Sequence, residues 1–169
     1  ESQDPQDDME LAAAIKNFPS RVILACFLDY KNATCVLPLA KIRDAAYGVG
    51  LVNMPADPDG KVRRISGSLK LEADKYYFFP VMLASVFLNQ PPEAIINRLP
   101  LGVNNTFVIN YFLRSKDILQ VSFYDVLNQM DVLKKRYGQD FLKDALVLVY
   151  PEAEIFHDTY LTPLGKMPG

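Results

Sequence analysis

Apolar positions along the first third of the chain follow two different periods. In "DDMELAAAIKNF" Leu11, Ile15 and Phe18 fall at i, i+4 and i+7, the spacing of one helix face. Asp7 and Glu10 form a D-x-x-E start signal of the capping-box type. "RVILACFL" is a near-continuous apolar run, which predicts a strand buried on both faces. Helical spacing returns in "LPLAKIRDAAYG", where Leu39, Ile42 and Ala46 share a face. Pro38 suits its first turn and Gly48 a left-handed stop. "VGLVNM" is extended again, so strand, helix and strand predict a βαβ unit with a parallel pair.

"KVRRISGSLKLE" and "DKYYFFP" read as two extended runs around an "EAD" turn. "PVMLASVFLN" and "PPEAIINRL" are helices opened by proline, and "TFVINYF" is a strand. "VSFYDVLNQ" starts a helix at Ser122 with Asp125 three residues on, and "MDVLKKRYG" continues to a stop at Gly138. "DALVLVYP" reads as a buried strand before a tail rich in Pro and Gly. This alternation predicts an α/β or α+β fold. The expected sheet is mixed and mainly parallel, flanked by helices, with an antiparallel hairpin around Asp57–Gly60. No repeat or linker divides residues 1–169, which read as a single domain.

The segment "NMPADPDGKVRR" admits two readings. A calcium loop of the EF type needs ligands at positions 1, 3, 5 and 12 around a glycine at 6. With Gly60 in that glycine's place, Asp57 and Asp59 fit, but Pro55 and Ser66 occupy the two anchor positions. Three cations follow as well, so no metal is expected. As a type I turn, Asp57, Pro58, Asp59 and Gly60 match position by position. Such a turn would join "GLVNM" to "VRRIS" as a hairpin, with the Asp57 side chain accepting backbone N–H bonds. Arg63 and Arg64 would then point to opposite faces, and both read as surface or ion-pair residues unless one of them enters an anion site.

Composition removes several functions. The 169 residues carry 18 basic and 20 acidic side chains, a net charge of −2. That balance gives no electrostatic footprint for nucleic acid. The uncharged run Tyr76 to Pro92 is broken by Pro80, Asn89, Gln90 and Pro91, so no membrane span is expected within the sequence. The polar start "ESQDPQDD" is unlike a signal peptide. Cys26 and Cys35 have neither zinc nor C-x-x-C spacing. They are two buried thiols, or a disulfide closing "FLDYKNAT" in an oxidising compartment. Asn32 and Asn104 open sequons. The single histidine, His157 beside Asp158, has no recognisable nucleophile. P-loop, dinucleotide and zincin motifs are absent. "YYFFP" suits core packing better than a ligand pocket. No cofactor is expected.

Most of the chain resembles the type-two CHASE domain, a cyclase- and histidine-kinase-associated sensory extracellular domain. The most specific piece is "LPLAKIRDAAYGVGLVNMPADPDGKVRRI": a Leu-Pro helix, Gly-x-x-Asn, then Asp-x-Asp-Gly-x-x-Arg. "DDMELAAAI", "RVILA", "FPVMLASVFL", "VINYF", "VSFYDVL", "ALVLV" and "HDTYLTPLGKMPG" follow the family's order. Departures occur at Phe112-Leu113, at Tyr150-Pro151 and in a longer connection through "NQMDVLKKRYGQDFLKDA". Relative to the family the domain reads as truncated at both ends.

The resemblance implies a non-catalytic extracytoplasmic sensor of a bacterial membrane receptor. Flanking membrane helices would join it to a kinase or cyclase output module, as a homodimer, with a small molecule or a protein as signal. It further marks Asn53, Arg63, Asn110, Tyr111, Asp158 and Thr162 as polar positions of the family-like motifs, which either bind a ligand or fix turns and strand ends. A soluble extracytoplasmic hydrolase or transferase is the alternative, and it would need a convergent acid/base pair.

Overall fold

A computed structural model describes residues 5–112, 117–150 and 159–168. The chain divides into two compact units, Glu1–Ile109 with Tyr160–Met167, and Asn110–Thr159 with Pro168–Gly169.

The first unit opens with helix α1, Pro5–Lys16. Proline at its start carries no N–H to leave unpaired. Asp7 and Asp8 sit in the first turn and Lys16 in the last, complementing the helix dipole. Asp7 therefore lies inside the helix rather than at its N-cap. Ala12 and Ile15 are the buried residues, whereas Leu11 and Phe18 are exposed. The buried stripe is thus narrower than the sequence spacing suggested.

Strand β1, Ile23–Asp29, pairs in parallel with β3, Gly48–Leu51, and antiparallel with the outer strand β2, Thr34–Val36. Between β2 and β3 lies the four-residue helix α2, Ala40–Arg43, so the βαβ unit expected from the sequence is present. β1 is not buried on both faces: Cys26 and Leu28 are buried while Ala25 and Phe27 are exposed. Helix α2 ends well before Gly48, which instead begins β3.

β4, Arg64–Ser66, pairs antiparallel with β7, Thr106–Val108. β5, Ser68–Leu71, and β6, Asp74–Tyr77, form an antiparallel hairpin around Glu72 and Ala73. Phe78 bridges Leu51 in parallel, and helix α3, Phe79–Leu88, packs on β3 and β1. A Cβ on Gly50 would stand 2.6 Å from Phe79 Cα, so only glycine permits that approach. α3 ends at Asn89 in the left-handed conformation and packs on α4, Pro92–Ile96. Cys26, Leu28, Leu51, Ile65 and Phe78 form the core cluster. Strands β8, Thr159–Thr162, and β9, Gly165–Pro168, pair with each other.

The fold class is therefore α/β or α+β with small mixed sheets. The expected parallel majority is corrected: among the described residues β1–β3 is the parallel pair, accompanied by two isolated parallel bridges, and β1–β2, β4–β7 and β5–β6 run antiparallel. The hairpin around Asp57–Gly60 forms only as its loop. Asp57 N–H donates to Lys61 O and Gly60 N–H to Asp57 O, both at 2.8 Å, with Gly60 at φ 78°. That is a type I turn closed by a left-handed residue. Its flanking strands do not pair with each other: β3 pairs with β1, and β4 with β7.

In the second unit, α5, Phe123–Asn128, packs against α6, Met130–Tyr137, which ends before Gly138 at φ 101°. The strand expected at "DALVLVYP" is absent over residues 145–150, which are exposed and not in a strand. Among the described residues nothing pairs with them, and an apolar run without a ladder partner is no strand.

Candidate functional site

Three of the marked polar positions lie in the first unit, and each has partners inside the protein. Asn53 lies two residues past the end of β3. Val52 N–H donates to Cys26 O at 2.9 Å, and the backbone ladder stops there. The Asn53 side chain then continues it: Leu28 N–H donates to Oδ1 at 2.6 Å and Nδ2 donates to Leu28 O at 3.1 Å. A primary amide carries the same donor and acceptor as a peptide group, so it serves as one more rung.

Arg63 lies between two carboxylates. Its Nη1 donates to Asp57 Oδ2 at 3.0 Å and to Asp59 Oδ1 at 2.8 Å, and Nη2 donates to Asp59 Oδ2 at 2.6 Å. Arg64 Nε reaches the other Asp57 oxygen at 3.3 Å. Both arginines therefore turn to the same acid rather than to opposite faces. Asp59 Oδ1, not Asp57, accepts a backbone N–H in the turn, from Lys61 at 3.2 Å. The hydrogen bonds from Arg63, followed by that from the Lys61 amide, hold the Asp59 carboxyl well below the usual carboxylate range. Asp59 first and Asp57 second push the Arg63 guanidinium above its ordinary value.

Thr162 is 4 % exposed. Its hydroxyl donates to Gly165 O at 2.8 Å and accepts from Leu164 N–H at 3.2 Å, closing the β8–β9 turn. Lys61 bridges Leu161 in parallel, and Val62 N–H donates to Leu161 O at 2.8 Å. Arg63 and Thr162 thus sit on neighbouring chain segments, while Asn53 serves the β1–β3 ladder.

Asn110 and Tyr111 belong to the second unit. Asn110 is exposed, and burial pushes the pKa of the half-buried Tyr111 hydroxyl up, so it holds its proton more tightly. Asp158, like His157, lies outside the described residues. The second unit also holds a hollow of ≈ 290 Å³ lined by Met130, Lys134, Asp140 and Phe141, among others. None of the marked residues that are described lines it.

Sequence reasoning offers an ion-pair role for Arg63 and Arg64 but misses the carboxylates that supply it, Asp57 and Asp59. The signal was present: Asp59 and Arg63 stand at i, i+4 across a tight turn, with Asp57 two residues earlier. Chemically the cluster is a locked turn. Three of the five Arg63 N–H donors are directed at carboxylates of the same turn, which leaves little positive charge for an outside anion. Among the described residues no group of three His, Cys, Asp or Glu is placed to hold a metal ion. Cys26 and Cys35 are free thiols.

The family model described as the CHASE2 domain matches residues 1–169, the whole chain. The chain belongs to the CHASE2 family. CHASE2 is a family of extracellular sensory domains and is not catalytic. No curated protein and no solved structure gives a significant match. Among the described residues no helix is long and apolar enough to cross a membrane. In this CHASE2 domain the Gly-x-x-Asn motif supplies a close approach at Gly50 and a rung at Asn53. The Asp-x-Asp-Gly-x-x-Arg motif supplies a turn and the cation that holds it.

Proposed function

We propose that this chain is the extracytoplasmic ligand-recognition domain of a transmembrane bacterial signalling receptor. The observation that carries this reading is the family match across residues 1–169. A small molecule or a protein binds one of two domain arrangements more tightly. That difference in affinity biases the flanking membrane helices and a cytoplasmic kinase or cyclase module, working as a homodimer. The contacts of Asn53, Arg63 and Thr162 support assigning those residues to the scaffold. Asn110, Tyr111 and Asp158 remain the proposed polar contacts for the signal.

Two measurements test the reading. Alkaline phosphatase fused at Gly169 of the full-length gene product is expected to be active and a fluorescent protein at the same point dark. The reverse pattern overturns the extracytoplasmic placement. A thermal-shift screen of the chain with small anions, sugars and metal ions is expected to give a hit that Tyr111→Ala abolishes and Asn53→Ala does not. A hit abolished only by Arg63→Ala would move the site to the turn.

A further inference from the structure

Cys26 and Cys35 lie on one face of the β1–β2 pair. The register sets Leu28 opposite Cys35 and Phe27 opposite Val36. Side chains alternate along a strand, so Cys26 shares the face of Leu28 and is a diagonal neighbour of Cys35. Cys26 is 2 % exposed, and half-buried Cys35 packs against the cluster that contains it. Tyr76 of β6 packs against the same cluster as Cys35. We propose that Cys26 and Cys35 are a reversible thiol–disulfide pair, oxidised by a small-molecule disulfide of the glutathione type.

The chemistry proceeds in two exchanges. The Cys35 thiolate attacks one sulfur of the oxidant, forming a mixed disulfide and releasing one small-molecule thiolate. Cys26 loses its proton and attacks the Cys35 sulfur, releasing the second. One S–S bond forms in the protein, one breaks in the oxidant, and two small thiols carry away the two electrons and two protons. Exposure assigns the first attack to Cys35. Burial, and then the nearness of Cys35, push the Cys26 thiol up to about 11, which suits it to the second, intramolecular step. Burial raises Cys35 as well, and the nearby Tyr76 hydroxyl opposes that rise.

The geometry makes the bond reversible. Diagonal neighbours on antiparallel strands stand about 7–8 Å apart at Cα, whereas a relaxed disulfide spans roughly 5.5–6 Å. Closure therefore requires β2 to move toward Cys26. β2 can move: it is the outer strand, three residues long, with Thr34 and Val36 exposed. A bond that holds an outer strand off its preferred register is more easily reduced than a relaxed structural disulfide. Oxidation state is thereby tied to the position of β2 on β1. In a receptor this makes the domain responsive to thiol redox conditions, a consequence that rests on the extracytoplasmic reading.

The test is disulfide mapping of the whole chain. The protein is equilibrated with oxidised and reduced glutathione at about pH 8, quenched with N-ethylmaleimide and digested without reduction. The expected product is an intramolecular Cys26–Cys35 peptide that disappears when reduced glutathione is added in excess. Cys26→Ala is expected to stop at a glutathione adduct on Cys35, and Cys35→Ser to leave Cys26 a free thiol. Cys35 found only as a glutathione adduct in the unsubstituted chain, or only bonded to a second chain, overturns the proposal. Thiol trapping in cells separates the two readings: a pair that closes in vitro yet stays reduced in cells counts against the compartment and not the pair.

Discussion

Asn53 and Leu28 form a closed amide pair, with Leu28 N–H donating to Oδ1 at 2.6 Å and Nδ2 donating to Leu28 O at 3.1 Å. The pair carries the β1–β3 ladder one residue past the point where the backbone of β3 leaves the sheet. Leu28 is buried, so its peptide groups have little access to water when the pair is broken.

Asn53→Ala is expected to cost about 2–4 kcal/mol, because two backbone groups lose their partners. Urea unfolding followed by circular dichroism checks this, with a lower midpoint and an unchanged slope. Asn53→Asp keeps an acceptor for Leu28 N–H but sets an anionic oxygen against Leu28 O. It is expected to be no more stable than Asn53→Ala. An unchanged midpoint in both variants would return Asn53 to the ligand-binding candidates.

The turn carries a pH dependence with a defined sign. Arg63 holds the Asp59 carboxyl below its ordinary range in the folded state. The contribution is therefore fully present above the unfolded value of about 3.9 and drains away as pH falls through the folded value. Asp59→Asn is expected to flatten the acid limb of a stability-versus-pH curve below about pH 4. The ion pairs are partly exposed, so about 1 M salt is expected to shrink the difference between the two proteins.

Two glycines are expected to resist substitution for different reasons. Gly50→Ala drives a methyl group toward the Phe79 backbone, 2.6 Å away, at a cost of about 1–3 kcal/mol. Gly60→Ala meets nothing within 4 Å but must hold φ 78°, at a cost of about 1 kcal/mol. Gly60→Asn is expected to recover part of that loss, since asparagine tolerates the left-handed region. No such rescue is expected at Gly50. Thermal unfolding of the four proteins distinguishes clash from strain.

Helix α1 provides a test of which face is buried. Ile15, 7 % exposed, is expected to cost about 2–4 kcal/mol on truncation to alanine. Leu11, 50 % exposed, and Phe18, 59 % exposed, are expected to change stability by about 0.5 kcal/mol or less. Comparable losses at all three positions would show that the sequence spacing, rather than the observed stripe, describes the packed face.

Where the sequence carried the answer, a local cause was sufficient. The turn at Asp57–Gly60 follows from proline at one position and glycine at another, and needs no distant partner. The helices that contain Pro80 and Pro92 near their starts, and the stop at Gly138, have the same origin. The parallel β1–β3 pair was legible because a short helix between two apolar runs leaves few other ways to connect them. The order of motifs along the chain also led to the family, which the match over the whole chain bears out.

Tertiary structure decided whatever depended on a partner remote in sequence. Hydrophobic spacing cannot say which apolar run finds a ladder, so β4 left the expected hairpin for β7, while residues 145–150 acquired no strand. Nor can it say where a polar side chain turns. From the sequence Asn53 and Arg63 read either as ligand contacts or as residues that fix turns and strand ends, and only the fold chooses between the two. In the folded chain Asn53 completes a ladder with Leu28, twenty-five residues away, and Arg63 neutralises the carboxylates of its own turn. Local chemistry is written in neighbouring residues, whereas hydrogen-bond and charge partners are settled only when the chain folds.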